Sequence, residues 1–104
     1  MDEGSLTEAI SLFQQSIADF PHFKSLELLG ECFLRLKRPQ EAIVPLAAAI
    51  SLNNGVRAPS LLAEAFLMLN EYEESKRFSE IALQRDPKNR KALEIQALIL
   101  ERLK

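Results

Sequence analysis

The sequence predicts an all-α fold in which antiparallel helix pairs stack side by side, with about six helices in the chain. Apolar residues recur three and four positions apart, which is the spacing of one helix face. No segment alternates apolar and polar residues as a strand does. The segment LLGECFLRLKRPQEA at residues 28–42 returns 33 positions later as LLAEAFLMLNEYEES at residues 61–75. A repeat of this length indicates helix pairs that bury their apolar faces against their neighbours.

Apolar stripes and prolines place the first three helices. A first helix is predicted at residues 5–18. Pro21 is predicted to start a second helix that ends near residue 37, and Pro39 a third that ends near residue 52, because proline is tolerated in a first helical turn. Asn53, Asn54 and Gly55 are expected to end the third helix in the left-handed conformation. The three buried stripes are Leu6, Ile10, Phe13 and Ile17; Phe23, Leu26, Leu29, Phe33 and Leu36; and Ile43, Leu46, Ala49 and Ile50.

Three further helices follow with the same signals. Pro59 lies near the start of the fourth, whose apolar face contains Leu62, Phe66 and Leu69. A fifth covers residues 72–85, and a sixth follows Asp86-Pro87. Small residues recur every 33 positions where helices are expected to cross closely: Gly30 and Ala63; Ala9, Ala42 and Ser75; and Ser16, Ala49 and Ala82.

Charge and composition exclude several classes of function. Thirteen basic and fifteen acidic residues give a net charge of −2, so no positive field attracts nucleic acid or an anionic membrane. One cysteine, Cys32, and one histidine, His22, form neither a disulfide framework nor a metal site, so we predict no metal and no cofactor. The first residues lack a signal-peptide layout, and no apolar run is long enough to span a bilayer. We expect a cytoplasmic location, with no nucleic-acid or membrane partner.

The sequence contains no residue set that predicts catalysis. Cys32 is expected to be buried on an apolar stripe. Two pairs of neighbouring carboxylates, Glu27 with Glu31 and Glu73 with Glu74, are expected to be solvated, because no cleft is apparent that would shift their pKa values. The three glycines form no phosphate-binding loop. We therefore predict that the chain is not an enzyme.

The repeated residues resemble the tetratricopeptide repeat family. The resemblance is carried by Leu29-Gly30, Phe33, Ala42, Leu46 and Ala49 in one unit, and by Leu62-Ala63, Phe66, residues 72–75, Ala82 and Asp86-Pro87 in the next. It implies one domain over residues 1–104, built as a short right-handed solenoid. The expected units are a lone second helix at 5–20, repeats at 21–54 and 55–87, and a terminal helix at 88–104. A fragment of a longer array is an alternative.

The resemblance also implies that the first helix of each pair lines a concave groove that receives an extended peptide or a partner helix. The corresponding residues are Lys24, Glu27, Glu31 and Arg35 in the second helix; Arg57, Ser60, Glu64, Leu67 and Met68 in the fourth; and Lys91, Glu94, Leu98 and Glu101 in the sixth. The alternative that these are ordinary solvated surface residues stays open.

The charges of this groove lead to an expectation about its ligand. In the family, a clamp for acidic chaperone tails uses Lys, Arg and Asn side chains, whereas Glu31 and Glu64 fill equivalent sites here. Glu27 adds a third carboxylate, so the groove should repel an acidic tail and favour a peptide with basic or apolar anchors. A basic rail of Lys24, Arg57 and Lys91 is expected along one edge.

Two other hypotheses stay open beside this adaptor function. The sixth helix is apolar on two sides, with Leu93, Ala97 and Leu100 in one stripe and Ile95, Ile99 and Leu103 in the other. One stripe should pack against the chain, and the other is expected to be free for another copy. The candidates for self-association are Leu6, Ile95, Ile99 and Leu103. The chain is thus alternatively an oligomerisation or structural module, or an accessory repeat segment of a larger enzyme.

Overall fold

The computed structural model describes residues 3–19 and 22–103. These residues form six α-helices and no strand. The all-α prediction is therefore confirmed, while the predicted helix start at Pro21 lies outside the described residues. The helices are α1 Glu3–Asp19, α2 Phe23–Arg35, α3 Pro39–Leu52, α4 Arg57–Met68, α5 Tyr72–Arg85 and α6 Arg90–Arg102.

The helices stack as antiparallel neighbours into an elongated body of 43 × 27 × 19 Å. α2 packs on α3 and α4 on α5, while α3 contacts α4 and α5 contacts α6. Along the stack, α2 contacts α4 and α4 contacts α6, whereas α1, α3 and α5 do not contact one another within the described residues. The stack is therefore curved, with α2, α4 and α6 on its inner side and α1, α3 and α5 on its outer side.

Side-chain caps fix the starts of two inner helices. His22 precedes α2, and its Nδ1 accepts a hydrogen bond from the backbone N–H of Lys24 at 3.1 Å. Asn89 precedes α6, and its Oδ1 accepts from the N–H of Ala92 at 2.9 Å. Each cap satisfies one of the N–H groups that a helix leaves unpaired at its first turn.

The helix pairs cross closely at the small residues that the repeat singles out. A Cβ added to Gly30 would lie 2.5 Å from Cδ2 of Leu46, so any larger residue at this position would have to displace this fully buried leucine side chain. In the next pair, Ala63 occupies the position of Gly30, and the hydroxyl of Ser75 donates to its carbonyl oxygen at 2.7 Å. This bond satisfies the hydroxyl of a fully buried serine.

The left-handed residues differ from the prediction. Lys37 and Asn70 have φ values of 60° and 61°, and they lie at equivalent positions in the turns inside the two helix pairs. Because the chain reverses at Lys37, α2 ends at Arg35 rather than near residue 37. Asn53 is extended with φ −153°, and Gly55 has no positive φ, so the left-handed end predicted for the third helix is wrong.

The inward face of α6 is the stripe from which the self-association candidates were chosen. Ile95 and Ile99 are both buried, and they belong to a core cluster with Ala63 and Leu67 of α4. Leu6 is buried in the main core beside α2. The self-association prediction therefore needs correction, because these three residues already form the core of one chain. Leu103 remains exposed as expected, together with Leu93 and Leu100.

Candidate functional site

Three adjoining depressions form a groove across the inner helices, called the inner groove below. The first, of about 250 Å³, is lined by Lys24, Glu27, Leu28 and Arg57. The second, of about 240 Å³, is lined by Glu31, Leu34, Arg35, Lys37, Leu61, Glu64 and Lys91. The third, of about 280 Å³, is lined by Glu64, Leu67, Met68, Lys91, Glu94, Ile95 and Leu98.

Two ion pairs join successive inner helices across this groove. The guanidinium of Arg57 lies 2.9 Å from the carboxylate of Glu31, and the ammonium of Lys91 lies 2.5 Å from the carboxylate of Glu64. The same contact is thus repeated from α2 to α4 and from α4 to α6. Partly exposed pairs of this kind contribute only about 0–1 kcal/mol to stability. Their larger effect is to cancel charge along the middle of the groove.

The charged side chains that line the groove nearly balance one another. Five are basic and four are acidic, so their formal charges sum to +1. The basic residues are Lys24, Arg35, Lys37, Arg57 and Lys91, and the acidic residues are Glu27, Glu31, Glu64 and Glu94. The groove therefore has no strong field of either sign to select a highly charged ligand.

Glu27 is the buried carboxyl group of the first depression. Burial raises the pKa of Glu27 above its usual range, while the positive charge of Arg57, a hydrogen bond from the backbone N–H of Ala58 and the charge of Lys24 act in the opposite direction. Its carboxyl group therefore links α2 to the first turn of α4.

The predicted groove residues divide into an exposed set and a buried set. Glu27, Ser60 and Leu67 are buried, and the hydroxyl of Ser60 donates to the carbonyl oxygen of Arg57 at 2.8 Å. Ser60 and Glu101 line none of the three depressions. The exposed or partly exposed set is Lys24, Glu31, Arg35, Arg57, Glu64, Met68, Lys91, Glu94, Leu98 and Glu101.

Sequence reasoning missed five residues that line the groove: Leu28, Leu34, Lys37, Leu61 and Ile95. The repeat itself contains a signal for most of them. Leu28, Leu61 and Ile95 occupy one repeated position on the three inner helices, and Leu34 corresponds to Leu67. An apolar residue that recurs at a groove-lining position therefore predicts the groove floor.

Other features of the chain bear on chemistry. Cys32 is buried, and burial raises the pKa of its thiol, with the neighbouring charge of Glu31 acting in the same direction. The thiol is therefore protonated and unreactive at neutral pH. The described residues contain no group of three His, Cys, Asp or Glu side chains that could hold a metal ion. None of the helices in this part of the chain has the length and apolar character of a membrane span.

Solved structures with this helix arrangement include domains of chaperone-associated proteins. The first TPR of Spaghetti (RPAP3), bound to the HSP90 peptide SRMEEVD, has a TM-score of 0.91 and 25% identity over 96% of this chain and 81% of that chain. The first TPR domain of human RPAP3 has a TM-score of 0.90 and 25% identity over 96% and 80%. The Hsp90 co-chaperone Cns1 from Saccharomyces cerevisiae has a TM-score of 0.82 and 27% identity over 93% and 33%.

A comparison with protein families gives the same result as the structures. No curated protein matches the sequence. The profile of the family described as Tetratricopeptide repeat matches residues 1–60, which is more than half of the chain. The solenoid of tetratricopeptide type implied by the sequence resemblance is thus confirmed, and the chain belongs to the tetratricopeptide repeat family.

Proposed function

We propose that this chain is a non-catalytic adaptor that binds an extended peptide or a partner helix of another protein in the inner groove. The observation that carries this proposal is the row of three depressions across α2, α4 and α6, joined by the pairs Glu31–Arg57 and Glu64–Lys91. A groove formed by packed helices is already ordered, so binding loses little conformational entropy in the receptor. The peptide held by the similar domain of Spaghetti supports the same role here.

The charges in the groove disfavour an acidic ligand. The SRMEEVD peptide of the similar domain contains three acidic residues. In this chain, the basic groups of Arg57 and Lys91 already face Glu31 and Glu64. An acidic peptide would have to displace these carboxylates and would then meet their negative charge. A neutral or basic peptide avoids this cost.

The third depression provides a place for an apolar anchor. Leu98 stands on α6 at the position where α2 and α4 have Glu31 and Glu64, and its side chain is 41% exposed. Met68 lies beside it, and the buried Leu67 and Ile95 contribute to the lining. Apolar side chains that converge in a depression are typical anchor sites of peptide ligands.

The proposal includes a cytoplasmic location and no catalytic step. Cys32 is a buried thiol with no second cysteine in the sequence, which agrees with a reducing compartment. Among the carboxyl groups that line the groove, Glu27 is buried, Glu31 and Glu64 are held in ion pairs, and Glu94 is exposed on α6. We assign none of them a role as acid or base. We also propose the division into a lone second helix at 5–20, repeats at 21–54 and 55–87, and a terminal helix at 88–104.

A selection of random displayed peptides against the chain tests this proposal. The enriched peptides should carry apolar or basic residues, and Leu98→Glu should weaken their binding at least tenfold in fluorescence anisotropy. Val44→Glu is the matched control, because Val44 is an apolar side chain on the outer helix α3 with 75% exposure. Equal binding by wild type and Leu98→Glu would contradict the assigned anchor site.

A charge reversal tests the electrostatic part of the proposal separately. Glu31→Lys combined with Glu64→Lys replaces both ion pairs by clusters of positive charge. This variant should bind SRMEEVD more tightly than the wild type does, with an effect that decreases as salt is added. If the wild type binds SRMEEVD as tightly as the selected peptides, the preference for basic or apolar anchors is wrong.

A further inference from the structure

α1 and α6 each occupy one half of a helix pair, and neither has its pair partner within the described residues. α1 corresponds to the outer helices α3 and α5, because Ala9, Ala42 and Ser75 recur at intervals of 33. α6 corresponds to the inner helices, with Lys91 placed 34 positions after Arg57. The stack therefore starts with an outer helix and ends with an inner helix.

The unpaired side of α6 is an exposed apolar face. It consists of Leu93, Ala97, Leu100 and Leu103, all exposed, with Leu100 at 70%. The corresponding residues of α4 are Pro59, Ala63, Phe66 and Leu69, and all of these are buried or partly buried. The hydroxyl of Ser75 and the ring of Phe78, both on α5, contact Ala63 and Phe66. The face on α6 is thus the one that an outer helix normally covers.

The unpaired side of α1 is complementary to this face. The residues of α5 that pack on α4 are Ser75, Phe78, Ser79 and Ala82, and their counterparts in α1 are Ala9, Leu12, Phe13 and Ser16. Ser75, Ser79 and Ala82 are fully buried. In α1, by contrast, Ser16 is exposed and Leu12 is 62% exposed, while Ala9 and Phe13 are partly buried against the core of their own chain. α1 therefore presents the Leu12 and Ser16 part of the face that packs against an inner helix.

A depression between α5 and α6 matches a side chain of α1. It has a volume of about 130 Å³ and is lined by Lys76, Gln96, Ile99, Leu100 and Leu103. One repeat earlier, the corresponding residues are Ile43, Leu62, Ala65, Phe66 and Leu69. Phe78 of α5 packs in the core cluster that contains the first four of these and stacks on Phe66 with ring centroids 5.6 Å apart. The counterpart of Phe78 in α1 is Leu12.

The charges of the two helices are also complementary. α1 contains Glu3, Glu8 and Asp19 and no basic residue, whereas α6 has Arg90 and Lys91 at its start, Glu94 in its middle, and Glu101 beside Arg102 at its end. Paired helices in this fold are antiparallel, so the start of one lies beside the end of the other. Glu3 and Glu8 would then lie near Arg102, and Asp19 near Arg90. The attraction between Asp19 and Arg90 favours this register, while at the other end Glu101 offsets the charge of Arg102.

From these observations we propose that α1 of a second copy packs on α6, so that the two chains together complete one helix pair. Leu12 of the added copy fills the depression between α5 and α6. The contact joins two different faces, so each added copy presents a new α6 and the copies assemble end to end. The inner groove continues from one copy into the next. This contact does not depend on what the groove binds.

Sedimentation velocity over a range of protein concentrations tests the proposal. The wild type should reach masses above twice the monomer mass of 11.8 kDa. Leu12→Glu and Leu100→Glu should each remain monomeric, because each variant has lost one of the two faces. An equimolar mixture of the two should form a dimer and nothing larger, since each variant keeps the face that the other lacks. Val44→Glu should assemble like the wild type.

Two results would overturn the proposal. A wild type that stays monomeric up to millimolar concentration would show that the two faces do not bind each other. Association of Leu12→Glu alone, with no dimer specific to the mixture, would show that α6 pairs with another α6. Circular dichroism checks that each variant keeps its helical content, and Leu12→Ser and Leu100→Ser replace any glutamate variant that loses it.

Discussion

Replacing Gly30 by alanine tests how closely the helix pairs must cross. A Cβ at position 30 would lie 2.5 Å from Cδ2 and 3.0 Å from Cδ1 of Leu46, whose side chain is fully buried and has little room to move. Overpacking costs about 1–3 kcal/mol, while alanine recovers up to about 1 kcal/mol of helix propensity. Gly30→Ala should therefore lower the free energy of unfolding by about 1–2 kcal/mol, which corresponds to a fall in Tm of about 4–16 °C.

Leu46→Ala isolates the steric part of this effect. Alone, Leu46→Ala should lower the free energy of unfolding by about 2–5 kcal/mol because it removes buried atoms. It also removes the atoms that an alanine at position 30 would meet, so the double variant should be more stable than the sum of the single effects by about 1–3 kcal/mol. Urea unfolding of the four proteins, followed by far-UV circular dichroism, measures these differences. The close crossing of α2 and α3 at Gly30 would be refuted if Gly30→Ala had the stability of the wild type. It would also be refuted if the destabilisation of the double variant equalled the sum of the two single effects.

Two further substitutions test local features of the fold. Lys37→Asn should raise the free energy of unfolding by about 1 kcal/mol, because asparagine adopts the left-handed conformation more readily than lysine, as Asn70 does at the equivalent position; a lower urea midpoint would contradict this. Burial raises the pKa of Glu27 in the folded chain above its value in the unfolded chain. The protonated carboxyl group therefore adds to the free energy of unfolding at pH values below the unfolded pKa, and this contribution is lost as the pH rises through the folded pKa. Glu27→Gln should thus gain stability relative to the wild type between acidic and neutral pH, and parallel unfolding curves that show no such change would contradict the assigned cause.

The helices were predictable because their signals are local. Stripes such as Leu26, Leu29 and Phe33 identify a helix face without knowledge of its neighbours, and Pro39 marks a helix start. The close crossings followed from the recurrence of small residues such as Gly30 and Ala63. The 33-residue interval strengthens these predictions because residues one repeat apart pack in equivalent surroundings and therefore need similar sizes.

The features that sequence reasoning missed depend on how elements meet. Lys37 adopts a left-handed backbone conformation because the turn between α2 and α3 requires it. A lysine by itself disfavours this conformation, so the sequence around it gives no signal. The pairing of Glu31 with Arg57 depends on the distance between α2 and α4, which no local pattern contains. α6 is apolar on two sides, so only its packing against α4 decides that Ile95 faces inward and Leu100 outward.

A map of amide chemical shifts tests most directly whether the inner groove binds the peptide. The isotope-labelled chain would be titrated with a peptide from the selection described above, and the shift of each backbone amide recorded. If the peptide binds in the inner groove, the perturbed amides should lie on α2, α4 and α6, around Glu31, Glu64 and Leu98. Perturbations concentrated on the outer helices α3 and α5 would contradict binding in the inner groove.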